Sequence, residues 1–132
     1  MIIRGRTISK GTAEGEVIVS SQPISFYGGV DPNTGIVTEK GHPLEGKSIK
    51  GKILVFPQGK GSTVGSYTLY RMKKQGTAPL AIINKECETI VAVGAIISNI
   101  PAIDKLEQDP LALLKDGQKV RVDATSGFIE IL

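Results

Sequence analysis

A glycine-rich junction between a predicted strand and a predicted helix constrains this chain more than any other feature. The run KILVF, residues 52–56, is short and apolar, as buried strands are, and it stops at Pro57. The junction behind it contains Gly59 and Gly61 together with a lysine and two hydroxyl side chains. From Val64 onward apolar side chains recur every three to four residues, which predicts a helix. The chain must therefore pass from strand to helix within a few residues.

The segment behind this helix predicts a second strand beside the first. Lys73 and Lys74 fall in the last helical turn, where cations complement the helix dipole, and Gly76 is placed to end the helix. PLAIIN, residues 79–84, is again a short apolar run. Strand, helix and strand in this order predict a parallel pair packed against one helix. The pattern predicts that the covered face of the helix comprises Val64, Tyr67, Leu69, Tyr70 and Met72.

Strands are also predicted near both ends of the chain. IIRGRTISKG, residues 2–11, reads as a strand, and GEVIVS, residues 15–20, reads as its partner across a glycine turn. The last segment, residues 118–132, alternates about a Thr-Ser-Gly turn and predicts a hairpin. Residues 23–37 contain the turn-forming pair Gly28-Gly29 and the run DPNTG, residues 31–35, which predicts an ordered loop or a strand interrupted by turns, and residues 42–51 continue as loop.

Two segments in the second half are helical candidates. Residues 87–101 fit either a strand or a helix by periodicity, and we favour a short helix that ends before Pro101. DPLALLKDG, residues 109–117, predicts a helical turn. Strands at both ends and a strand-helix-strand unit between them predict an α/β fold, a layered β/α domain with a barrel-like sheet. With 132 residues, the chain has the size of one domain, residues 1–132.

Composition limits the function classes. The longest apolar run, residues 90–97, is far short of the ~20 residues that span a bilayer, so we expect no membrane segment and a cytoplasmic location. Cys87 is the only cysteine, so the chain alone can form neither a disulfide nor a cysteine-held metal cluster.

The charges are divided unevenly along the chain. Residues 1–85 carry twelve Lys or Arg against five Asp or Glu, and residues 86–132 carry four against eight. This division favours a basic face for a polyanion, a phosphorylated metabolite or an acidic partner. Three Tyr, three Phe and no Trp provide few stacking platforms, so nucleic acid is not an expected partner.

Ser62 is the candidate catalytic residue of the junction. A strand-to-helix loop presents unpaired N–H groups and the positive end of a helix dipole, which attract negative charge. The simpler interpretation makes Ser62 or Thr63 the N-cap of the helix. However, no Asp or Glu follows in the first turn, and Lys60 adds a mobile positive charge nearby. The sequence therefore leaves room for an external anion at this point.

Other chemistries fit the sequence less well. A nucleotide P-loop needs a glycine upstream and a Ser or Thr directly after its lysine, whereas an apolar strand precedes Gly59 and Gly61 follows Lys60. His42, the only histidine, lies in a turn with no evident tie to Ser62, so we expect it to be structural rather than part of a triad. Cys87 is expected to be a small buried side chain rather than a nucleophile.

Three segments resemble the small subunit of the aconitase X family in its archaeal type. They are SFYGGVDPNTG, HPLEGKSIKGKILVFPQGKGSTVGSYTLY and APLAIINKECETIVAVGAIISNIPAID, within a match that runs from about Gly5 to Leu132. The resemblance implies a swivelling β/β/α domain, related to the mobile domain of aconitase, that closes over a larger catalytic subunit in a heterodimer or higher assembly. It also implies that a 4Fe-4S cluster lies in that large subunit and that this chain binds no cofactor or metal.

The same resemblance implies a reaction and a site. The reaction is the dehydration of (R)-5-phosphomevalonate to trans-anhydromevalonate 5-phosphate in an archaeal mevalonate pathway. Ser62 is implied as the proton acceptor, and Lys60, Gly61 and Thr63 are candidate contacts to the small phosphorylated substrate.

Three alternatives stay open at the level of sequence. Bacterial relatives in the family dehydrate hydroxyproline isomers. A phosphohistidine carrier has a swivelling domain with a similar C-terminal segment, but it needs a histidine where this chain has Gly61, Ser62 and Thr63. A non-catalytic adaptor would use Ser62 only as a helix cap.

Overall fold

Eight strands and four helical segments make up the fold in the computed structural model, which describes all residues, 1–132. The strands are β1 (Ile2–Arg4), β2 (Arg6–Ser9), β3 (Thr12–Val19), β4 (Ile53–Phe56), β5 (Ala81–Asn84), β6 (Ala102–Asp104), β7 (Lys119–Asp123) and β8 (Phe128–Ile131). The helical segments are α1 (Phe26–Gly29), α2 (Gly65–Gln75), α3 (Thr89–Ile97) and α4 (Pro110–Leu113). No helix is both long and apolar enough to cross a membrane.

The sheet closes on itself through its first two strands. Its order is β1-β8-β7-β3-β4-β5-β6-β2, so β1 and β2 form opposite edges although only Gly5 separates them in sequence. A Cβ on Gly5 would lie 2.6 Å from the Asp104 carbonyl oxygen, so this close approach requires glycine. Beside it, the Arg6 guanidinium donates to both carboxylate oxygens of the buried Asp104, at 2.9 and 2.8 Å. The predicted barrel-like sheet is confirmed.

The strand-helix-strand prediction is confirmed as well. β4 pairs in parallel with both β3 and β5, and β5 pairs in parallel with β6. The four residues of β4 are all buried, because alternate side chains enter two different cores. Leu54 and Phe56 join the core beneath the helices, whereas Ile53 and Val55 join the core inside the curled sheet.

Helix α2 has the predicted ends but a narrower buried face. Gly76 follows the helix with a φ of 78° and donates its N–H to Lys73, as a left-handed C-cap does. Leu69 and Met72 are fully buried, but Tyr67 is 71% exposed and Tyr70 and Val64 are also exposed. The predicted inclusion of Val64, Tyr67 and Tyr70 in the covered face is therefore wrong for this chain by itself.

Helix α3 and the C-terminal elements follow the sequence analysis. Residues 89–97 are helical, the C-terminal hairpin consists of β7 and β8, and α4 is the expected helical turn. α3 packs closely on α2 at Gly94, where a Cβ would lie 3.2 Å from the Cα of Ser66.

Two details of the sheet differ from the sequence analysis. Residues 15–20 do not pair with the N-terminal strand, because β3 lies between β7 and β4. The N-terminal segment divides at Gly5, and its halves pair with β8 and β6. The short strand β6 was not predicted, since its three residues follow Pro101 without an extended apolar run.

Candidate active site

Ser62 lies in the junction between the end of β4 and the start of α2, at the carboxyl end of the parallel strands. Ligands of parallel α/β sheets commonly bind beyond the carboxyl ends of the strands. The side chain is exposed, and its Oγ accepts the backbone N–H of Val64 at 3.1 Å. The Ser62 carbonyl oxygen accepts the N–H of Gly65 at 2.9 Å. The hydroxyl is thus held against the backbone in front of the helix and remains open to solvent.

Ser62 makes the local hydrogen bond of a capping serine, because its Oγ accepts the N–H of Val64 just ahead of the regular helix. The regular helix begins at Gly65 after Val64, and no side chain caps it at that point. The first turn carries no acidic residue, as the sequence indicated. The positive end of this eleven-residue helix is therefore not neutralised by a carboxylate of its own.

Three consecutive backbone N–H groups of the junction are free. Those of Gly61, Ser62 and Thr63 donate no hydrogen bond to any other group of the chain. Gly61 has a φ of 93°, and a Cβ there would lie 2.6 Å from the Ser25 Oγ. Left-handed turns of this kind expose successive N–H groups that bind anions. The junction can therefore stabilise negative charge with its main chain.

The loop of residues 21–48 supports the junction from one side. Ile24 forms a bridge with Gly59, and its carbonyl oxygen accepts the Lys60 N–H at 3.1 Å. The Lys60 ammonium lies 2.9 Å from a carboxylate oxygen of Glu39. The predicted mobile cation is thus engaged in an exposed ion pair. Sequence reasoning did not place Ser25 or Glu39 here, because no periodic pattern relates that loop to the junction.

The other side of the junction faces α3. A Cβ on Gly59 would lie 2.5 Å from both Val91 Cγ2 and a carboxylate oxygen of Glu88, so glycine is needed for this contact. Thr63 is exposed at one end of a groove between α2 and α3, and a second groove lies between α1 and α2. The four predicted site residues, Lys60 to Thr63, are therefore adjacent on one exposed loop.

His42 is structural, as predicted. The side chain is 5% exposed, its Nδ1 accepts the Leu44 N–H at 3.0 Å, and its Nε2 lies 3.0 Å from the Pro23 carbonyl oxygen. With both ring nitrogens engaged within the loop, the imidazole is not available for phosphoryl transfer or as a base for Ser62.

Cys87 is half-buried, and its surroundings make the thiol unreactive. Burial, together with the negative charges of Asp104 and Glu88, raises the pKa of the Cys87 thiol to about 12. The thiol is therefore protonated near neutral pH, whereas nucleophilic attack and metal binding require the thiolate. This supports the expectation that Cys87 is not a nucleophile.

We expect iodoacetamide to label Cys87 in the folded chain much more slowly than in the unfolded chain at pH 9.0, the ordinary pKa of the thiol, where half of the unfolded thiols are ionised. The unfolded thiol ionises above its ordinary pKa of 9.0, whereas the folded thiol retains its proton, so stability should fall from that pH towards 12. Labelling followed by mass spectrometry measures the rates. Equal rates in the two states would contradict the buried, protonated thiol.

Comparison with known proteins identifies the family of this chain. The family model of the aconitase X swivel domain matches residues 2–131. The chain belongs to the aconitase X swivel domain family. The swivelling fold and the resemblance found in the sequence are thereby confirmed.

Individual aconitase X relatives match over almost the whole chain. The phosphomevalonate dehydratase small subunit of Methanosarcina acetivorans is 63% identical and covers 98% of this chain and 90% of its own length. That of Thermococcus kodakarensis is 61% identical, with 100% and 97% covered. A chain in the crystal structure of Thermococcus kodakaraensis aconitase X, in the holo form, matches with a TM-score of 0.95 at 61% identity and covers 100% of this chain and 98% of that one.

Proposed function

We propose that this chain is the small subunit of a phosphomevalonate dehydratase, a hydro-lyase, and that Ser62 is its proton acceptor. Relatives at 61% to 65% identity over nearly the full chain carry that name. The reaction removes water from (R)-5-phosphomevalonate and yields trans-anhydromevalonate 5-phosphate in an archaeal mevalonate pathway. A proton leaves the carbon next to the substrate carboxylate, and hydroxide leaves the neighbouring carbon.

The hydrogen bond from the Val64 N–H to the Ser62 Oγ is the observation that carries the catalytic assignment. A proton on a carbon beside a carboxylate is weakly acidic, so its removal requires a strong base. A serine alkoxide is strong enough if its negative charge is stabilised. The Val64 N–H, 3.1 Å from Oγ, and the uncompensated positive end of α2 both favour that charge, more so once a partner excludes water.

The substrate contacts are proposed for the residues that flank Ser62. Gly61 and Thr63 offer free backbone N–H groups, which suit an anionic group of the substrate. Lys60 supplies the cation closest in sequence to Ser62, at present paired with Glu39. Exchange of the Glu39 carboxylate for a substrate anion would leave the Lys60 charge neutralised at each stage.

The remaining catalytic groups are assigned to a large subunit. No group of three His, Cys, Asp or Glu side chains in this chain is arranged to hold a metal ion, and Cys87 is protonated. We therefore place the 4Fe-4S cluster in the large subunit, where its iron would assist hydroxide departure as a Lewis acid. This chain contributes the base, the N–H groups that stabilise it and part of the wall that excludes water.

We expect turnover only from the reconstituted pair of subunits. The chain and its large subunit should each be inactive alone, because the base and the Lewis acid lie on different chains. Mixing them should produce an unsaturated 5-phosphate from (R)-5-phosphomevalonate, which mass spectrometry detects. Hydroxyproline isomers serve as the control substrates. Turnover of those isomers without turnover of phosphomevalonate would replace the proposed substrate, and full activity of the large subunit alone would contradict a catalytic role for this chain.

A further inference from the structure

Helix α3 has an exposed face that is unusually apolar. Its sequence, TIVAVGAII, contains no charged residue. Val93, Ile96 and Ile97 are nevertheless 44%, 54% and 40% exposed. A helix that is apolar on all sides is normally buried on all sides. In the chain alone only one side of α3 is covered, by α2 and the sheet.

A groove continues this apolar face onto α2. It has a volume of about 340 Å³ and is lined from one side by Thr63, Ser66 and Tyr67 and from the other by Ile90, Val93 and Ile97. No residue that lines it is charged. We call the surface formed by Tyr67, Ile90, Val93, Ile96 and Ile97 the α3 face. Uncharged, partly aromatic surfaces of this kind are typical of the central part of protein interfaces.

The position of the α3 face indicates what covers it. Thr63, at one end of the groove, directly follows Ser62, so the apolar surface is continuous with the loop that carries the proposed base. If Ser62 acts on a substrate held by a large subunit, that subunit must approach this loop. We propose that the α3 face is the docking surface for the large subunit. The inference rests on the proposed function, which requires a partner opposite Ser62.

A second copy of this chain is a less suitable occupant. Thr63 lines the groove next to Ser62, so a second copy docked on the α3 face would crowd the approach to Ser62 without bringing a substrate site opposite it. Docking of the large subunit instead buries the apolar residues and closes the junction in one step. The exclusion of water that the alkoxide requires would then result from assembly itself.

The test is the affinity of the large subunit for charged variants of the face. Val93 and Ile97 are exposed helical positions. Val93→Glu should change the thermal midpoint of the chain little, whereas Ile97→Glu should lower it slightly, because a carboxylate in the last turn of α3 opposes the helix dipole. We expect the Kd for the large subunit, measured by titration calorimetry, to rise by about tenfold or more in each variant. Leu132→Glu is the matched control, because Leu132 is 58% exposed at the end of the chain and outside the face.

Methyl NMR of the labelled chain provides a second measurement that needs no variant. Signals of Val93, Ile96 and Ile97 should shift or broaden when the large subunit is added, and those of Leu132 should not. Unchanged methyl signals and unchanged affinity of both glutamate variants would overturn the proposal. Dimerisation of the wild-type chain that Val93→Glu abolishes, with large-subunit affinity unaffected, would also overturn it.

Failure of the docking surface and failure of the catalytic assignment have different signatures. At saturating large subunit, Val93→Glu should retain the wild-type kcat and lose only affinity. A variant at Ser62 should bind the large subunit with wild-type affinity and lose kcat. If the glutamate variants bind normally while Ser62 proves essential, only the docking proposal is wrong.

Discussion

The Ser62→Ala variant is expected to lose about 10³-fold in kcat, within the range of effects that a general base contributes. Alanine removes the only atom that we assign to accept the substrate proton. Because Ser62 is exposed and its side chain bonds only the Val64 N–H, the fold should be retained. The measurement is steady-state turnover of the reconstituted pair at saturating large subunit, with affinity measured in parallel.

Ser48→Ala is a matched control for this experiment. The Ser48 Oγ accepts the N–H of Lys50 at 3.2 Å, the same local hydrogen bond that Ser62 makes with Val64, but it does not lie in front of a helix. Loss of this local hydrogen bond at Ser48 should not affect kcat. A Ser62→Ala pair that turns over at close to the wild-type rate would show that Ser62 is only a structural residue, as in the adaptor alternative.

The second large effect is expected for Gly61→Ala, with kcat lowered by about 10²-fold. A Cβ at this position would lie 2.6 Å from the Ser25 Oγ, and the φ of 93° disfavours any L side chain. The loop must shift to relieve both, and Ser62 shifts with it. A displacement of the base by about 1 Å is sufficient for a loss of this size.

Gly76→Ala is the control that tests whether backbone strain by itself lowers kcat. Gly76 has a φ of 78°, comparable to that of Gly61, but no atom lies within 4 Å of the added Cβ, and it follows the opposite end of α2. We expect this control to cost about 1 kcal/mol of stability with kcat unchanged. Equal kcat values for Gly61→Ala and the wild type would mean that the loop geometry does not position the base.

The local parts of the fold could be predicted because each depends on neighbouring residues. The strand β4, the helix α2 with its Gly76 cap, and the hairpin of β7 and β8 each carry their own pattern of apolar, basic or turn residues. The pairing of β3 and the division of the N-terminal strand could not be predicted in the same way. They depend on where Gly5 meets Asp104, a contact between residues far apart in sequence.

In the candidate site, too, local features could be predicted from the sequence and contacts between distant residues could not. Ser62, with Gly61 and Thr63, could be proposed from the sequence because a loop before a helix attracts anions by its local geometry. Ser25 and Glu39 lie in a loop without periodicity, so the sequence did not predict their contacts with Gly61 and Lys60. The covered face of α2 was predicted too broadly, since Tyr67 carries an apolar signal but is exposed in the isolated chain. Docking of a partner on the α3 face would account for that signal.

A structure of the assembled enzyme with bound substrate tests the central claim most directly, through the distance from the Ser62 Oγ to the substrate carbon that loses its proton. We expect a distance of about 3–3.5 Å, the separation of reacting groups in a productive complex. An Oγ turned away from that carbon, with another side chain in contact with its proton, would contradict the assignment of Ser62 as the base.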